Sequence, residues 1–195
     1  ELEKAQHEIL IDPLTGLYNR KAFDRKIQEY IKIYQDEGNL FSMMIMDIDH
    51  FKQFNDQHGH LLGDQVLRFL GSFLHKELKG KDFAARYGGE EFIILLAGTS
   101  ADNACTFANN LRKSISGVKL RHVKTDKILG RITISIGVSA MRKDDTVESL
   151  VERADNALYM AKQNGRNNVK SELDITAYTG APEVVVPSMV EFLKQ

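Results

Sequence analysis

The sequence predicts an α/β protein, an α+β sandwich in which one central, mostly antiparallel sheet of about five strands is covered by helices. Three observations lead to this prediction. Segments with helical and with strand-like hydrophobic spacing alternate along the 195 residues. Residues 40–48 are almost continuously apolar, which is typical of a strand buried on both faces. Gly88-Gly89 separates two short apolar runs, which indicates a β-hairpin.

In the first half of the chain, Asn19 is a suitable N-cap, and apolar residues recur after it at helical spacing until Gly38. The apolar strand 40–48 follows. A second helix is predicted at about 61–78, because its apolar residues fall on one stripe. They are Leu62, Val66, Phe69, Leu70, Phe73 and Leu74.

The second half of the chain begins with the two hairpin strands, 83–87 and 92–96. A third helix is predicted at about 100–116, because Ser and Asp residues suited to a helix start precede its apolar stripe. In 132–138 apolar and small polar residues alternate, which predicts a strand. A fourth helix is predicted at about 147–163.

The ends of the chain differ from its middle. Residues 1–11 are charged, with apolar residues at heptad-like spacing, and we expect the end of an upstream signalling helix or linker there. The domain is expected at 12–173. The segment 174–195 holds two of the three prolines and is expected to be a C-terminal appendage. Because the chain begins at Glu1, we expect a piece of a longer protein.

The composition excludes several function classes. The chain has 26 Lys and Arg against 27 Asp and Glu, so it lacks the basic surface of a nucleic-acid binder. Its single Cys105 excludes a disulfide framework and favours a reducing compartment. No apolar run approaches the roughly 20 residues of a membrane span. We therefore expect a cytoplasmic domain, with membrane attachment of the full protein left open.

Acidic residues fall where a core strand ends. Asp47 and Asp49 close the most apolar segment, and Glu90 and Glu91 follow Gly88-Gly89. Carboxylates gathered in one place repel each other unless a cation lies among them. Hard oxygen ligands without cysteine indicate Mg²⁺ or Mn²⁺. The spacing favours Asp49 beside Asp47 as a ligand, since residues i and i+2 share a strand face. The alternative is that these acids cap strands and face water.

A second polar group follows the apolar strand. Lys52 is a point charge suited to a phosphate. Asn55 and Asp64 are candidates for reading a base edge, and a carboxylate matches the N1–H and N2–H₂ donors of guanine. Gly63 permits a close approach of the backbone to a ligand. The alternative is a loop built from turn-forming residues.

The end of the fourth helix carries two cations, Lys162 and Arg166. They are candidates for binding a triphosphate. The alternative is that they stabilise the helix C-terminus through its dipole. His58 and His60 are a weak signal for a metal site, because no cysteine or third histidine accompanies them.

Five stretches, in unbroken order over about 12–170, resemble the GGDEF family of diguanylate cyclases, here with the hairpin sequence Gly-Gly-Glu-Glu-Phe. They are Asp12-Pro-Leu-Thr-Gly-Leu-Tyr-Asn-Arg20, Asp47-Ile-Asp-His-Phe-Lys-Gln-Phe-Asn-Asp56 with Gly59-His60 and Gly63-Asp64, Arg86-Tyr-Gly-Gly-Glu-Glu-Phe92, Ser135-Ile-Gly-Val138 and Ala161-Lys-Gln-Asn-Gly-Arg-Asn167. The resemblance implies a nucleotidyl-cyclase or palm-like fold. It also implies condensation of two GTP into cyclic di-GMP and two pyrophosphates.

The resemblance implies a role for each matched residue. Two Mg²⁺ or Mn²⁺ ions per half-site would be held by Asp47, the Ile48 carbonyl and Glu90, and on this point we follow the family over the spacing that favours Asp49. The implied catalytic residues are Glu90, also a base for the 3′-hydroxyl, Asp47 and Lys162. The implied substrate-binding residues are Phe51, Lys52, Asn55, His60, Asp64, Glu91 and Arg166.

The resemblance further implies a homodimer in which each domain holds one GTP, and an upstream sensory domain. Active members often carry an Arg-x-x-Asp site for product inhibition before the hairpin. At that spacing this chain has Lys79 and Asp82. Lysine lacks the planar, bidentate grip of arginine, so we expect weak or absent product inhibition. The alternative function is a catalytically silent GGDEF module that binds nucleotide or cyclic di-GMP and regulates a partner.

Overall fold

The structure, a computed structural model, describes residues 10–121 and 128–176. The elements follow one another as β1 (Tyr18–Asn19), α1 (Arg20–Glu37), β2 (Phe41–Ile48), α2 (Phe51–His58), α3 (His60–Glu77), β3 (Phe83–Arg86), β4 (Glu91–Ala97), α4 (Ala101–Gly117), β5 (Leu120–Arg121), β6 (Ile128–Gly130), β7 (Ile134–Ala140), α5 (Val147–Gln163), β8 (Val169–Ser171) and α6 (Glu172–Thr176). The predicted α/β class is confirmed.

The central sheet has six strands in the order β1-β3-β4-β2-β7-β8. Its inner pairs, β3–β4, β4–β2 and β2–β7, are antiparallel, while the outer pairs β1–β3 and β7–β8 are parallel. The mostly antiparallel sheet is therefore confirmed. The short edge strands β1 and β8 were not predicted, because two or three residues carry no measurable periodicity.

Strand β2 is the centre of the core. All eight of its residues are buried, as the continuous apolar run predicted. Alternate residues enter two hydrophobic clusters on opposite faces of the sheet: Met44 and Met46 pack with α3 and α4, while Met43 and Ile45 pack with α1 and α5. A strand covered on both faces is apolar at every position, which explains the absence of alternation in this segment.

The helix ends follow the predicted signals. Asn19 Oδ1 accepts a hydrogen bond from the Ala22 N–H, 3.0 Å away, and begins α1. Gly38 adopts φ 70° and ends it. At the start of α5, Thr146 and Ser149 satisfy each other's backbone N–H groups. These contacts satisfy backbone donors at the starts of α1 and α5.

Helix α2 was not predicted, and the loop that the sequence offered as an alternative between the apolar strand and the second helix is not formed there. Phe51, Phe54 and His58 fall on one side of α2, with ring centroids 6.5 Å apart in the first pair and 4.7 Å in the second. Phe51 is buried in the core. Gly59, with φ 86°, then separates α2 from α3. Aromatic packing therefore outweighs the turn preference of the intervening Asn and Asp residues.

Helix α5 lies directly on β7 at Gly137. A Cβ added there would stand 2.0 Å from the Ala154 carbonyl oxygen and 2.3 Å from the Leu158 nitrogen. Only glycine permits this approach, and it fixes the position of the α5 C-terminus beside the sheet.

The expected helix at 1–11 lies outside the described residues except for 10 and 11, and so does most of the expected appendage, from 177 onward. The boundary expected between 173 and 174 falls inside α6. No helix among residues 10–121 and 128–176 combines the length and hydropathy that a bilayer crossing needs.

Candidate active site

The acidic residues of β2 and of the hairpin meet at one end of the sheet. Asp47 is directly opposite Glu91 in the β2–β4 register. The next residue, Ile48, donates its backbone N–H to the Glu90 carbonyl at 3.4 Å. The end of the β2–β4 pairing thus brings the predicted residues together, with Asp47 opposite Glu91 and Ile48 bonded to Glu90, the residue just before β4.

Lys162 comes to these acids from the last turn of α5. Its Nζ lies 3.0 Å from Asp47 Oδ1. The Lys162 side chain is about one third exposed, whereas that of Asp47 is only 8% exposed. The cation is thus more exposed than the carboxylate it contacts, and one contact with Asp47 does not use all three donors of an ammonium group.

The electrostatics favour a cation at this place. Burial raises the pKa of Asp47 above its usual range, although the charge of Lys162 opposes that rise. Burial also raises the pKa values of Glu90 and Glu91, and in both cases the Asp47 charge adds to the increase. Each carboxylate is thus costly to ionise beside the others, and a bound cation would remove that cost.

The donor set fits a hard divalent cation. Asp47 and Glu90 supply carboxylate oxygens and Ile48 a backbone carbonyl, the ligand types that Mg²⁺ and Mn²⁺ prefer. Within the described ranges, no three His, Cys, Asp or Glu side chains are grouped closely enough to enclose a metal ion. Mg²⁺ characteristically uses one or two carboxylates and completes its coordination with waters and substrate phosphates, so the site agrees with this ion.

Asp49 has a different environment from Asp47. Its carboxylate accepts three hydrogen bonds, from the Thr133 hydroxyl at 2.7 Å, the Ser135 hydroxyl at 2.7 Å and the Asn167 backbone N–H at 2.8 Å. Asp49 is 7% exposed. The carboxylate oxygens of Asp49, which the sequence spacing had suggested as cation ligands, thus accept hydrogen bonds from the start of β7 and from the turn after α5.

The turn after α5 carries Arg166. Gly165, Arg166 and Asn167 have φ values of 94°, 60° and 41°. The Arg166 charge opposes the rise that burial causes in the pKa of Asp47. The Asn167 N–H donates to Asp49 and Lys162 contacts Asp47, so the turn that carries Arg166 and the last turn of α5 both lie beside the end of β2.

The predicted base-reading residues lie on α2 and α3. Asn55 and Gly63 touch: a Cβ at Gly63 would stand 1.9 Å from Asn55 Oδ1. This buried oxygen has no hydrogen-bond partner among the described residues. Asp64 is half-buried, while Lys52 and His60 are exposed. Phe51 is buried beneath them and acts as core rather than as an exposed ring.

Lys79 and Asp82 lie at the opposite end of the sheet. Asp82 accepts hydrogen bonds from the Lys79 N–H at 3.2 Å and from the Ala97 N–H at 3.1 Å, and Ala97 ends the strand that Glu91 begins. Both residues border a cavity of about 520 Å³ beside Tyr30 and Leu40. This pair is therefore separate from the acidic cluster.

Sequence reasoning missed the polar residues that support the site. Thr133 and Ser135 hold Asp49, and the only signal for them was the small polar residues that alternate with apolar ones in 132–138. Arg86, within the matched hairpin stretch, donates to both Asp12 and the Gly89 carbonyl. Its role needs a contact between distant segments, which spacing alone does not give.

Comparisons with known proteins show the family to which the chain belongs. A profile of the family described as "Diguanylate cyclase, GGDEF domain" matches residues 9–168. Diguanylate cyclase DgcP of Pseudomonas aeruginosa is 41% identical over 170 residues, which are 87% of this chain and 25% of that protein. Diguanylate cyclase VdcA of Vibrio cholerae is 41% identical over 169 residues, which are 87% of this chain and 49% of that protein.

A solved structure is similar in fold. The GGDEF domain of DgcB from Caulobacter crescentus, in complex with c-di-GMP, has a TM-score of 0.83 and 38% identity, covering 86% of this chain and 98% of that chain. The chain spans 25% and 49% of the length of the two curated relatives above. The chain belongs to the GGDEF family of diguanylate cyclase domains.

Proposed function

We propose that this chain condenses two GTP molecules into cyclic di-GMP and two pyrophosphates. The observation that carries the proposal is the meeting of Asp47, Glu90 and Lys162 at one end of the sheet, with Lys162 Nζ 3.0 Å from Asp47 Oδ1. A buried carboxylate, a hairpin carboxylate and a partly exposed cation suit a metal-bound triphosphate.

In this proposal Asn55 and Asp64 read guanine, because an ionised carboxylate accepts from the N1–H and N2–H₂ donors that adenine lacks. Lys52, Lys162 and Arg166 bind the phosphates. Lys162 serves two groups, since it neutralises Asp47 and still has donors for an oxygen of the substrate. Glu91 holds the hairpin end beside Asp47, and the exposed His60, at the start of α3, contacts the substrate.

The chemistry is an in-line displacement. The 3′-oxygen of one GTP forms a bond to the α-phosphorus of the other, the bond from that phosphorus to the pyrophosphate oxygen breaks, and Glu90 accepts the proton of the 3′-hydroxyl. Asp47, the Ile48 carbonyl and Glu90 would hold two Mg²⁺ or Mn²⁺ ions, and such ions would favour ionisation of the hydroxyl and offset the charge on the leaving group. In the metal-free protein, burial and the Asp47 charge raise the pKa of Glu90, and a bound cation would oppose that rise.

Each domain binds one GTP, so two copies must face each other with opposed sites. The catalytic contribution of the dimer is positioning, because it converts an encounter of two nucleotides into a reaction between held groups. The matched part is a quarter to a half of two longer relatives. In this proposal an upstream sensory domain of the full protein controls the pairing.

Product inhibition is proposed to be weak or absent. The Lys79 side chain offers a single ammonium where a planar guanidinium would give two parallel hydrogen bonds. The Asp82 carboxylate already accepts two backbone N–H groups.

The test incubates the purified chain with Mg²⁺ and GTP, ATP or both, and identifies the products by mass. We expect cyclic di-GMP and pyrophosphate from GTP alone, at a rate per protein that rises with protein concentration, since two domains must meet. Nucleotide binding without turnover would contradict the proposal and favour the silent, partner-regulating module. Equal use of ATP would contradict the role of Asp64.

A further inference from the structure

The strand end of β2 carries two acids with different partners. Asp47 contacts Lys162, whereas Asp49 accepts the Asn167 backbone N–H. Both contacts join β2 to the end of α5 and the turn that follows it. The two carboxylates therefore hold two successive parts of the same segment.

The turn at 164–167 needs support from outside. Gly165, Arg166 and Asn167 are three successive residues with positive φ. For a residue other than glycine this conformation is unfavourable, because its Cβ approaches the following carbonyl oxygen. Two such residues in a row persist only where surrounding contacts fix them.

Three contacts fix this turn. The Asn167 N–H donates to Asp49 Oδ2 at 2.8 Å, Arg112 Nη1 donates to Asn167 Oδ1 at 2.9 Å, and the Arg166 N–H donates to the Ala161 carbonyl at 3.2 Å. The contact with Arg112 is exposed to solvent, and that with Asp49 is not. A charged acceptor shielded from water makes the stronger bond.

We propose that Asp49 is a positioning residue, which fixes the turn 164–167 so that Arg166 faces the phosphate site. The assignment of that site to a nucleotide phosphate rests on the proposed function. The backbone on both sides of Arg166 is held, by Ala161 before it and by Asp49 after it. The backbone position from which the Arg166 side chain extends is thus fixed.

The same contacts argue against a ligand role for Asp49. Its oxygens already accept from two hydroxyl groups and one N–H group, at 2.7–2.8 Å. A cation there would displace at least one of these donors from a buried position. Asp47, which contacts only Lys162 among the described hydrogen bonds and ion pairs, has no such obstacle.

The first experiment compares amide hydrogen exchange at 164–168 in nucleotide-free wild type and Asp49→Asn. Asparagine keeps the size of the side chain, but its NH₂ group would face hydrogen-bond donors and cannot accept from them. We expect exchange at Asn167 to become about tenfold faster, a change of about 1.4 kcal/mol in local opening. The control is Ser139→Ala, which removes a buried hydrogen bond to the Leu150 carbonyl at the far end of β7 and should leave this turn unchanged.

The second experiment measures binding of a non-hydrolysable GTP analogue. Asp49→Asn should weaken binding about tenfold, with the Mg²⁺ concentration for half-saturation unchanged. In an Arg166→Ala background, Asp49→Asn should add less than about twofold, because the two residues act through one contact. A general structural defect would instead lower affinity equally in both backgrounds.

Unchanged exchange at Asn167, additive effects with Arg166→Ala, or a shifted Mg²⁺ requirement would each overturn the positioning role. A different result would contradict the proposed function, namely a wild type that binds the analogue but makes no cyclic di-GMP. Both tests of Asp49 could still be carried out on that protein. A wild type that binds no GTP analogue overturns the phosphate assignment, and the exchange measurement then decides the structural contact alone.

Discussion

Arg86 and Asp12 are 74 positions apart in the chain and form an ion pair, with Arg86 Nη1 3.3 Å from Asp12 Oδ2. The same guanidinium donates from Nε and Nη2 to the Gly89 carbonyl, at 3.2 and 2.8 Å. Arg86 therefore connects the turn at the start of the domain to the hairpin that carries Glu90. Both side chains of the pair are less than one fifth exposed.

Replacing Arg86 by Met should destabilise the protein, because it removes the charged hydrogen bonds at both Asp12 and Gly89. We expect a loss of about 1–3 kcal/mol in the free energy of unfolding, measured by urea denaturation. The matched control is Lys26→Met, which removes the exposed i,i+3 ion pair with Glu29 and should cost less than about 0.5 kcal/mol. Equal losses in the two variants would contradict this role of Arg86.

The stabilisation that Asp145 provides to the folded protein should be lost in acid. Burial raises its pKa, but hydrogen bonds from Arg153, the Arg142 N–H and the Ser149 hydroxyl outweigh burial and hold the pKa below 3.8. The unfolded chain then binds the proton more tightly, so the stabilisation is complete above about pH 3.8 and is lost as the pH falls through the lowered value.

The measurement is urea unfolding of wild type and Asp145→Asn between neutral pH and pH 2. The variant should be less stable at neutral pH, since Arg153 loses a charged partner, and the stability difference between the two proteins should shrink in acid. A difference that stays constant with pH would rule out the contribution of Asp145.

Gly63→Ala should impair nucleotide recognition. The new Cβ would stand 1.9 Å from Asn55 Oδ1, so this amide must move. We expect the KM for GTP to rise at least about tenfold, with binding of a fluorescent GTP analogue weakened in parallel. The control is Gly117→Ala at the end of α4, where an added Cβ meets nothing within 4 Å. An unchanged KM for Gly63→Ala would contradict a role for Asn55 in binding GTP.

Lys79 should be the reason for weak product inhibition. Initial rates of the wild type should change little when micromolar cyclic di-GMP is added. In Lys79→Arg the inhibition should become stronger, because arginine restores two parallel hydrogen bonds. Micromolar inhibition of the wild type that Lys79→Ala relieves would contradict this expectation.

Much of the fold could be predicted because the strongest signals are local. The continuous apolar run of β2 predicted a strand buried on both faces, and Asn19 and Gly38 predicted both ends of α1. The short strands β1 and β8 were not predicted, because they are defined by hydrogen bonds to β3 and β7 and not by a pattern in their own residues. Helix α2 was not predicted either, because the packing of Phe51 decides between loop and helix.

The candidate site could be predicted in part. Strand-end acids at Asp47 and Glu90 indicated a cation site, and the register of β2 with β4 brings them together. The difference between Asp47 and Asp49 could not be read from spacing, because it depends on Ser135 and Asn167, which come from other segments. Long-range contacts of this kind have no counterpart in a local pattern.

The central claim is that the acidic end of the sheet catalyses cyclic di-GMP formation, and Glu90→Gln tests it most directly. The substitution keeps the size of the side chain and removes the charge that would hold a cation and accept a proton. Purified wild type and variant would be compared for product formation from GTP and Mg²⁺ by mass, and for melting temperature. We predict a melting temperature like that of the wild type and no detectable cyclic di-GMP. Near wild-type turnover in Glu90→Gln would contradict the account.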